Sequence, residues 1–210
     1  MTPVKRIFFI TGTDTGVGKT VFASSLLKSL RRNGVNAAGL KPVCSGGRGD
    51  AMKISTAMNG ALSLDEINPW HFRAAIAPLL AARQEKKQVK LAQVVAHVRA
   101  MQKRFDILLV EGAGGLLSPL GEDFDSRNLI IAFRATPIII APNRLGVVNQ
   151  ILLTLDALPK NVRSKAHVIL MPQHKRDTAA KSNASLLAEF FDPDRISSGT
   201  GATVYQELTA

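Results

Sequence analysis

The sequence predicts an α/β domain: a mostly parallel sheet flanked by helices on both faces. Two observations carry this. Short continuous apolar runs alternate with helical periodicities from end to end, and the first run feeds a glycine-rich turn that opens an apolar-periodic helix. A length of 210 residues suits one well-buried core and is short for two, so residues 1–210 are read as a single domain.

Arg6-Ile7-Phe8-Phe9-Ile10-Thr11 is a run without polar alternation, as expected of a central strand buried on both sides. Val21, Phe22, Leu26, Leu27 and Leu30 then fall on one helical face, and Asn33-Gly34 closes that helix. Asn36 to Lys41 reads as a second strand ending at Pro42, and the glycine-rich stretch Cys44 to Gly49 as a loop. Asp50 is placed to cap a helix from Ala51 to Met58. Leu91, Val94, Val95, Val98 and Met101 mark another helix, and Asp106 to Val110 a strand. Pro137 to Ala141 and Ala166 to Met171 are further buried strands. Between them, Val147, Val148, Ile151, Leu152, Leu155 and Leu158 make a helix. Leu186, Leu187, Phe190 and Phe191 are read as the core face of a last helix, and the tail from Asp192 carries no clear pattern.

Composition narrows the class. No stretch approaches the ~18 apolar residues of a spanning helix, and Lys5-Arg6 precede only a short strand rather than a signal-peptide core, so a cytoplasmic protein without membrane contact is expected. Cys44 is the single cysteine, which rules out an internal disulfide and a thiolate metal cage. With no histidine near it in sequence it is read as an inert thiol rather than a nucleophile. His71, His97, His167 and His174 show no zinc spacing. The net charge of +11 would suit a polyanion. Its densest clusters (Arg31-Arg32, Lys86-Lys87-Gln88-Val89-Lys90, Lys103-Arg104, Lys175-Arg176) nevertheless fall at helix ends and loops, and one Trp and one Tyr supply little for base stacking. A solvated surface is the reading adopted, with no nucleic-acid partner.

The turn Gly12-Thr13-Asp14-Thr15-Gly16-Val17-Gly18-Lys19-Thr20 lies between the first strand and first helix, where a phosphate cradle has to be. Its backbone N–H groups and those of the helix N-terminus converge on one point, and glycines admit the phosphates without a clashing Cβ. Lys19 would reach the β- and γ-phosphates, and the Thr20 hydroxyl would ligate Mg²⁺. Gly16, Val17, Gly18, Lys19, Thr20 and Val21 are therefore the first nucleotide-binding candidates, and the fold becomes a P-loop NTPase. Gly12 precedes Gly18 by six positions, one more than the common spacing. The alternative is an ordinary strand-to-helix turn with an exposed lysine.

In an open parallel sheet the ligand lies beyond the carboxyl ends of the strands. There the second strand delivers Lys41, followed by Ser45, and the third delivers Glu111, with Gly112, Ala113 and Gly114 after it as further nucleotide contacts. Asp50 lies in the loop between. Thr20, Asp50 and Glu111 offer hard oxygen ligands suited to Mg²⁺ bridging phosphates of ATP. Each has a plainer reading: Asp50 as a helix cap, Glu111 as a surface carboxylate, Lys41 as a solvated side chain.

Thr11-Gly12-Thr13-Asp14-Thr15 with Val17-Gly18-Lys19-Thr20, Gly39-Leu40-Lys41-Pro42-Val43 with Ser45-Gly46, Val110-Glu111-Gly112-Ala113-Gly114-Gly115 with Ser118-Pro119-Leu120, and Arg144-Leu145-Gly146 with Asn149 together resemble the dethiobiotin synthetase family from residue 6 to about residue 156. The resemblance implies a homodimeric, ATP- and Mg²⁺-dependent enzyme of biotin synthesis. Such an enzyme carboxylates 7,8-diaminopelargonate with CO₂, phosphorylates the carbamate and closes the ureido ring. It implies catalytic roles for Lys19, Lys41 and Thr15, substrate contacts for Ser45 and Lys41, and a contact from Asn149 to the substrate carboxylate across the dimer. Lys41→Ala is then expected to lower turnover about 10²- to 10³-fold and leave the fold intact.

The chain departs from the family pattern at Gly16, where the best-known members have Glu, and at Ala75-Ile76-Ala77-Pro78-Leu79, where the family has Pro-x-Ser-Pro-His. Met171 stands where an Asn often reads adenine, with Gln173 two residues on. Two alternatives remain open. One is a regulatory ATPase resembling the ParA and MinD group, although positions 12 to 17 lack that group's early lysine and Ile196 to Ala210 forms no basic amphipathic helix. The other is a nucleotide-binding module that has lost the diamine.

Overall fold

Continuous apolar runs need cover on both faces, and the sheet provides it. The computed structural model describes residues 5–173 and 178–205; His174 and the Lys175-Arg176 cluster lie outside them. In chain order the elements are β1 (Arg6–Gly12), α1 (Lys19–Arg32), β2 (Ala37–Leu40), β3 (Val43–Ser45), α2 (Gly49–Ala57), α3 (Leu64–Ile67), β4 (Trp70–Phe72), α4 (Pro78–Gln84) and α5 (Leu91–Gln102). Then follow β5 (Ile107–Glu111), α6 (Ser126–Phe133), β6 (Thr136–Pro142), α7 (Val147–Asp156), α8 (Lys160–Arg163), β7 (His167–Met171), α9 (Asn183–Ala188) and β8 (Ile196–Ser198).

Six strands form one sheet in the order β2-β5-β1-β6-β7-β8, every pair parallel. Ile7–Ile10, Leu108–Val110 and Ile138–Ala141 are all buried, which requires helices on both sides. α1 with α2, and α5 with α6, pack as pairs against it. This is the predicted architecture, and the four long apolar runs became its inner strands β5, β1, β6 and β7.

Several local expectations are corrected. Val21 is 55% exposed, because the face of α1 that meets the sheet runs through Phe22, Ala23, Leu26, Leu27 and Leu30, one position round. The expected loop from Cys44 contains β3, which pairs in parallel with β4 as a separate two-stranded sheet. Asp50 is not a cap: Arg48 occupies that position, and Asp50 lies inside the first turn of α2 with its carboxylate drawn elsewhere. Of the four apolar residues read as the core face of α9 only Leu187 is fully buried: Leu186 is exposed, and Phe190, exposed, and Phe191, partly packed, lie beyond the helix end. A helix of six residues is too short to carry the apolar face read there.

The unpatterned tail adds β8 beside β7 and then returns to α1. At Gly201 a Cβ would stand 2.3 Å from the Leu26 nitrogen and 2.5 Å from the Phe22 carbonyl oxygen, so the tail docks on helix backbone as only glycine can. Gly201→Ala is therefore expected to cost about 1–3 kcal/mol, as overpacking does. Urea unfolding of the two proteins measures it, and an unchanged midpoint would mean the tail does not dock.

Candidate functional site

β2, β5 and β1 are adjacent, and their register brings the charged residues together. Leu40 pairs with Val110 and Ile10 with Glu111, so Lys41, one residue beyond β2, lies beside Glu111 and next to the turn leaving β1. Lys41 Nζ donates to Glu111 Oε1 at 2.5 Å and to Asp50 Oδ2 at 2.7 Å, and Thr20 Oγ1 donates to the same Glu111 oxygen at 2.7 Å. Lys41 is 5% and Glu111 1% exposed. A single lysine and carboxylate so deeply buried would each be costly alone.

Burial alone would pull the Lys41 pKa down. The Glu111 and Asp50 carboxylates outweigh it and hold the ammonium above its usual value. Burial would likewise raise the Asp50 carboxyl, but Lys41 holds it below the usual range. Lys19 has no such partner. Burial first, and then repulsion from Lys41, lower it from 10.5 to about 8, and among the described residues its Nζ donates only to the Asp14 carbonyl, at 2.8 Å.

The turn before α1 is shaped for an anion. Gly18 caps the helix in the left-handed region, φ 100°, without a side-chain cap, and the first turn has no acidic residue. The N–H groups there stay available to a ligand. These groups face a cavity of about 590 Å³ whose lining includes Thr15, Gly16, Gly18, Lys19, Thr20 and Val21. Its other wall includes Lys41, Ser45, Asp50, Glu111, Ala113 and Gly114.

Three predicted site residues lie elsewhere. Val17 is buried beside Gly12, and Gly112 faces inward toward Ser126 and Phe9. Asn149 is exposed in the first turn of α7 and outside the cavity lining of its own chain. Conversely, Lys53, Ser118 and the segment Ala75 to Pro78 line the cavity without having been assigned a role. Lys53 was findable, since it follows Asp50 by three residues on a helix and so shares its face. Ser118 accepts from the Gly115 N–H at 2.9 Å and so ties down the glycine turn. Ser45 Oγ donates to the Ile76 carbonyl at 2.5 Å. The Cys44 thiol donates to Asn68 Oδ1 and the Gly47 carbonyl, both at 3.2 Å, and burial pushes its pKa up, which keeps it a thiol.

A divalent cation fits the donor set. Glu111 Oε2 is buried with no hydrogen-bond partner, and the Asp50 side chain is 43% exposed. Together with the Thr20 hydroxyl they make the partial oxygen shell that Mg²⁺ takes when phosphates and water complete it.

Comparison with known proteins decides the family. The ATP-dependent dethiobiotin synthetase BioD of Akkermansia muciniphila is 37% identical over 188 residues, 89% of this chain and 88% of that protein. The chain belongs to the dethiobiotin synthetase family. The synthetase of an Anaeromyxobacter species is 42% identical over 157 residues, covering 73% of this chain and 70% of its own. That of Methanococcus vannielii is 34% identical over 154, covering 73% of each. A family model described as an AAA domain matches residues 6–204. Among solved structures, a ParA family ATPase from Chlorobium tepidum superposes with a TM-score of 0.61 at 12% identity, over 100% of this chain and 94% of that one. At that identity the likeness is one of fold alone.

The lowered Lys19 predicts a pH dependence. In the free protein its charge is complete well below pH 8 and is lost as the pH rises through about 8. Affinity for ATP should therefore fall with rising pH, by up to about tenfold per unit while one proton is taken up on binding. Nucleotide titrations between pH 7 and 9.5 test this, and Lys19→Arg should flatten the profile because guanidinium stays charged.

Proposed function

We propose that this chain is an ATP-dependent dethiobiotin synthetase, acting on 7,8-diaminopelargonate and CO₂ in the cytoplasm. The observation that supports it most is the meeting of Lys19, Lys41, Thr20, Asp50 and Glu111 at one cavity, at the ends of three adjacent strands. Relatives carrying that printed activity cover most of this chain.

One substrate amine adds to CO₂ and gives a carbamate. The carbamate is a poor electrophile until an oxygen of it is phosphorylated. Its attack on the γ-phosphate expels ADP, and the second amine then closes the ureido ring with loss of phosphate. Lys19 and Lys41 supply the positive charge where negative charge builds on carbamate and phosphoryl oxygens. Thr20, Asp50 and Glu111 would hold Mg²⁺, whose chemistry is to neutralise and orient the phosphates. Thr15 and Ser45 line the same cavity and would contact the diamine or its carbamate, and the uncapped start of α1 would bind the phosphate tail.

We assign the active form to a homodimer. Asn149 lies on an exposed strip with Leu145, 73% exposed, and Leu153, 63% exposed, four residues to either side. Such apolar exposure suits a subunit contact, from which Asn149 would reach the partner's substrate carboxylate. Asn149→Ala should raise KM for the diamine about tenfold or more, with the KM for ATP unchanged; the two KM values, measured with sedimentation as a check on assembly, separate this from a general defect.

The test of the activity is phosphate release measured alone, with diaminopelargonate plus bicarbonate, and with DNA. Release that requires the diamine supports the synthetase. Release driven only by DNA would support a ParA-like switch, and binding without turnover a module that has lost the diamine.

Burial changes the choice of variant. Lys41→Ala would strand Glu111 as an uncompensated buried carboxylate, so about 3–5 kcal/mol of stability should go with it, a cost the motif alone does not show. Lys41→Met with Glu111→Gln removes both charges. It should melt closer to the parent than Lys41→Ala does, while turnover still falls by about 10²-fold or more.

A further inference from the structure

Outside the nucleotide cavity the outer faces of α1 and α2 enclose two hollows, of about 410 and 510 Å³, that share Lys28, Arg32 and Thr56. The smaller one also shares Thr20, Val21 and Lys53 with the nucleotide cavity. The two helices carry a single acidic residue, Asp50, and Lys41 engages it. Among the described residues Lys28, Arg31, Arg32 and Lys53 form no ion pair, and Arg31 donates only to the Ala37 carbonyl, at 2.9 Å.

Hydroxyls accompany the cations. Ser25 and Ser29 stand one helical turn apart, as do Lys28 and Arg32, so they stack in neighbouring rows. Ser24 lines the same hollow, and its Oγ is buried without a hydrogen-bond partner. The stretch from Ser24 to Arg32 is about 12 Å long at 1.5 Å per residue. Neither hollow is lined by an aromatic side chain. Close-set cations interleaved with hydroxyl donors suit an extended, multiply charged anion. The lack of a ring on which bases could stack argues against a single-stranded nucleic acid.

We propose that the α1–α2 groove is a second anion site that takes a condensed phosphate, of the pyrophosphate or tripolyphosphate class, centred on Lys28, Arg31 and Arg32 and meeting the nucleotide cavity at Thr20, Val21 and Lys53. The site stands whether or not the synthetase reading does, since none of Lys28, Arg31 and Arg32 belongs to that machinery. Its position gives it a consequence. An anion there draws on the Lys53 charge and repels the neighbouring triphosphate, so occupancy weakens nucleotide binding, and nucleotide weakens the anion by the same factor.

The experiment is calorimetric titration of the whole protein, already saturated with Mg²⁺ and a non-hydrolysable ATP analogue, with tripolyphosphate. One further equivalent should bind. The double variant Lys28→Ala, Arg32→Ala, whose side chains are exposed and free of ion pairs, should weaken it at least tenfold while nucleotide affinity without tripolyphosphate stays at the parent value. Several results would overturn the proposal: no second equivalent, a second equivalent that the double variant leaves untouched, or equal binding of sulfate at the same ionic strength. Tighter capture of duplex DNA through the same residues would also overturn it, by giving the groove to nucleic acid.

Discussion

The buried pair of Lys41 and Glu111, 2.5 Å apart, is the constraint on which the site depends. Neither charge could stay so deep without the other, and Asp50 and the Thr20 hydroxyl complete a set in which one Glu111 oxygen accepts twice. The same atoms that hold this buried cluster together are those to which the proposed chemistry is assigned. If Thr20, Asp50 and Glu111 held a divalent cation, its charge would compete with Lys41 for the same carboxylates, and Lys41 would then be placed to pair with phosphate oxygens instead. The two carboxylates keep the buried ammonium paired in this poorly solvated place.

That arrangement was legible in the sequence because strand ends are where a parallel sheet presents its functional groups. Once the runs around Phe9, Gly39 and Leu109 were recognised as strands, Lys19, Lys41 and Glu111 had to fall on one edge. The depth of their burial was not legible, because it follows from the register Leu40 to Val110 and Ile10 to Glu111, which no local pattern specifies. This is why the motif alone suggested that Lys41 could be deleted without harm to the fold.

Elements held by contacts distant in sequence were hidden. β3 and β4 are three residues each and pair only with one another, so neither shows a period that could be read locally. The tail after Asp192 looks featureless because Gly201 contributes by having no side chain where it meets α1. On α9 four apolar residues suggested a core face, yet six residues of helix bury only Leu187 among them fully, since a helix so short meets its neighbours over barely one turn. Asn149 was legible as a motif residue, but its own chain leaves it outside the cavity. Sequence can show that a residue belongs to a pattern without showing whether it reaches the cavity of its own chain.

The wall of the cavity formed by Ala75 to Pro78 follows a different logic from the glycine-rich turn before α1. The polar family turn is replaced by Ala75, Ile76 and Ala77 ahead of Pro78, a wall with no side-chain donor, and Ile76 is 38% exposed along it. What polarity remains is main chain, and Ser45 already donates to the Ile76 carbonyl while the Gly46 N–H donates to Ala74 at 3.0 Å. Those bonds hold the wall in place from the β3 side. An apolar wall of this kind contacts methylene groups at no polar cost and offers a hydrogen-bonding group nothing but main chain. Selectivity along this wall therefore rests on shape rather than on side-chain hydrogen bonds.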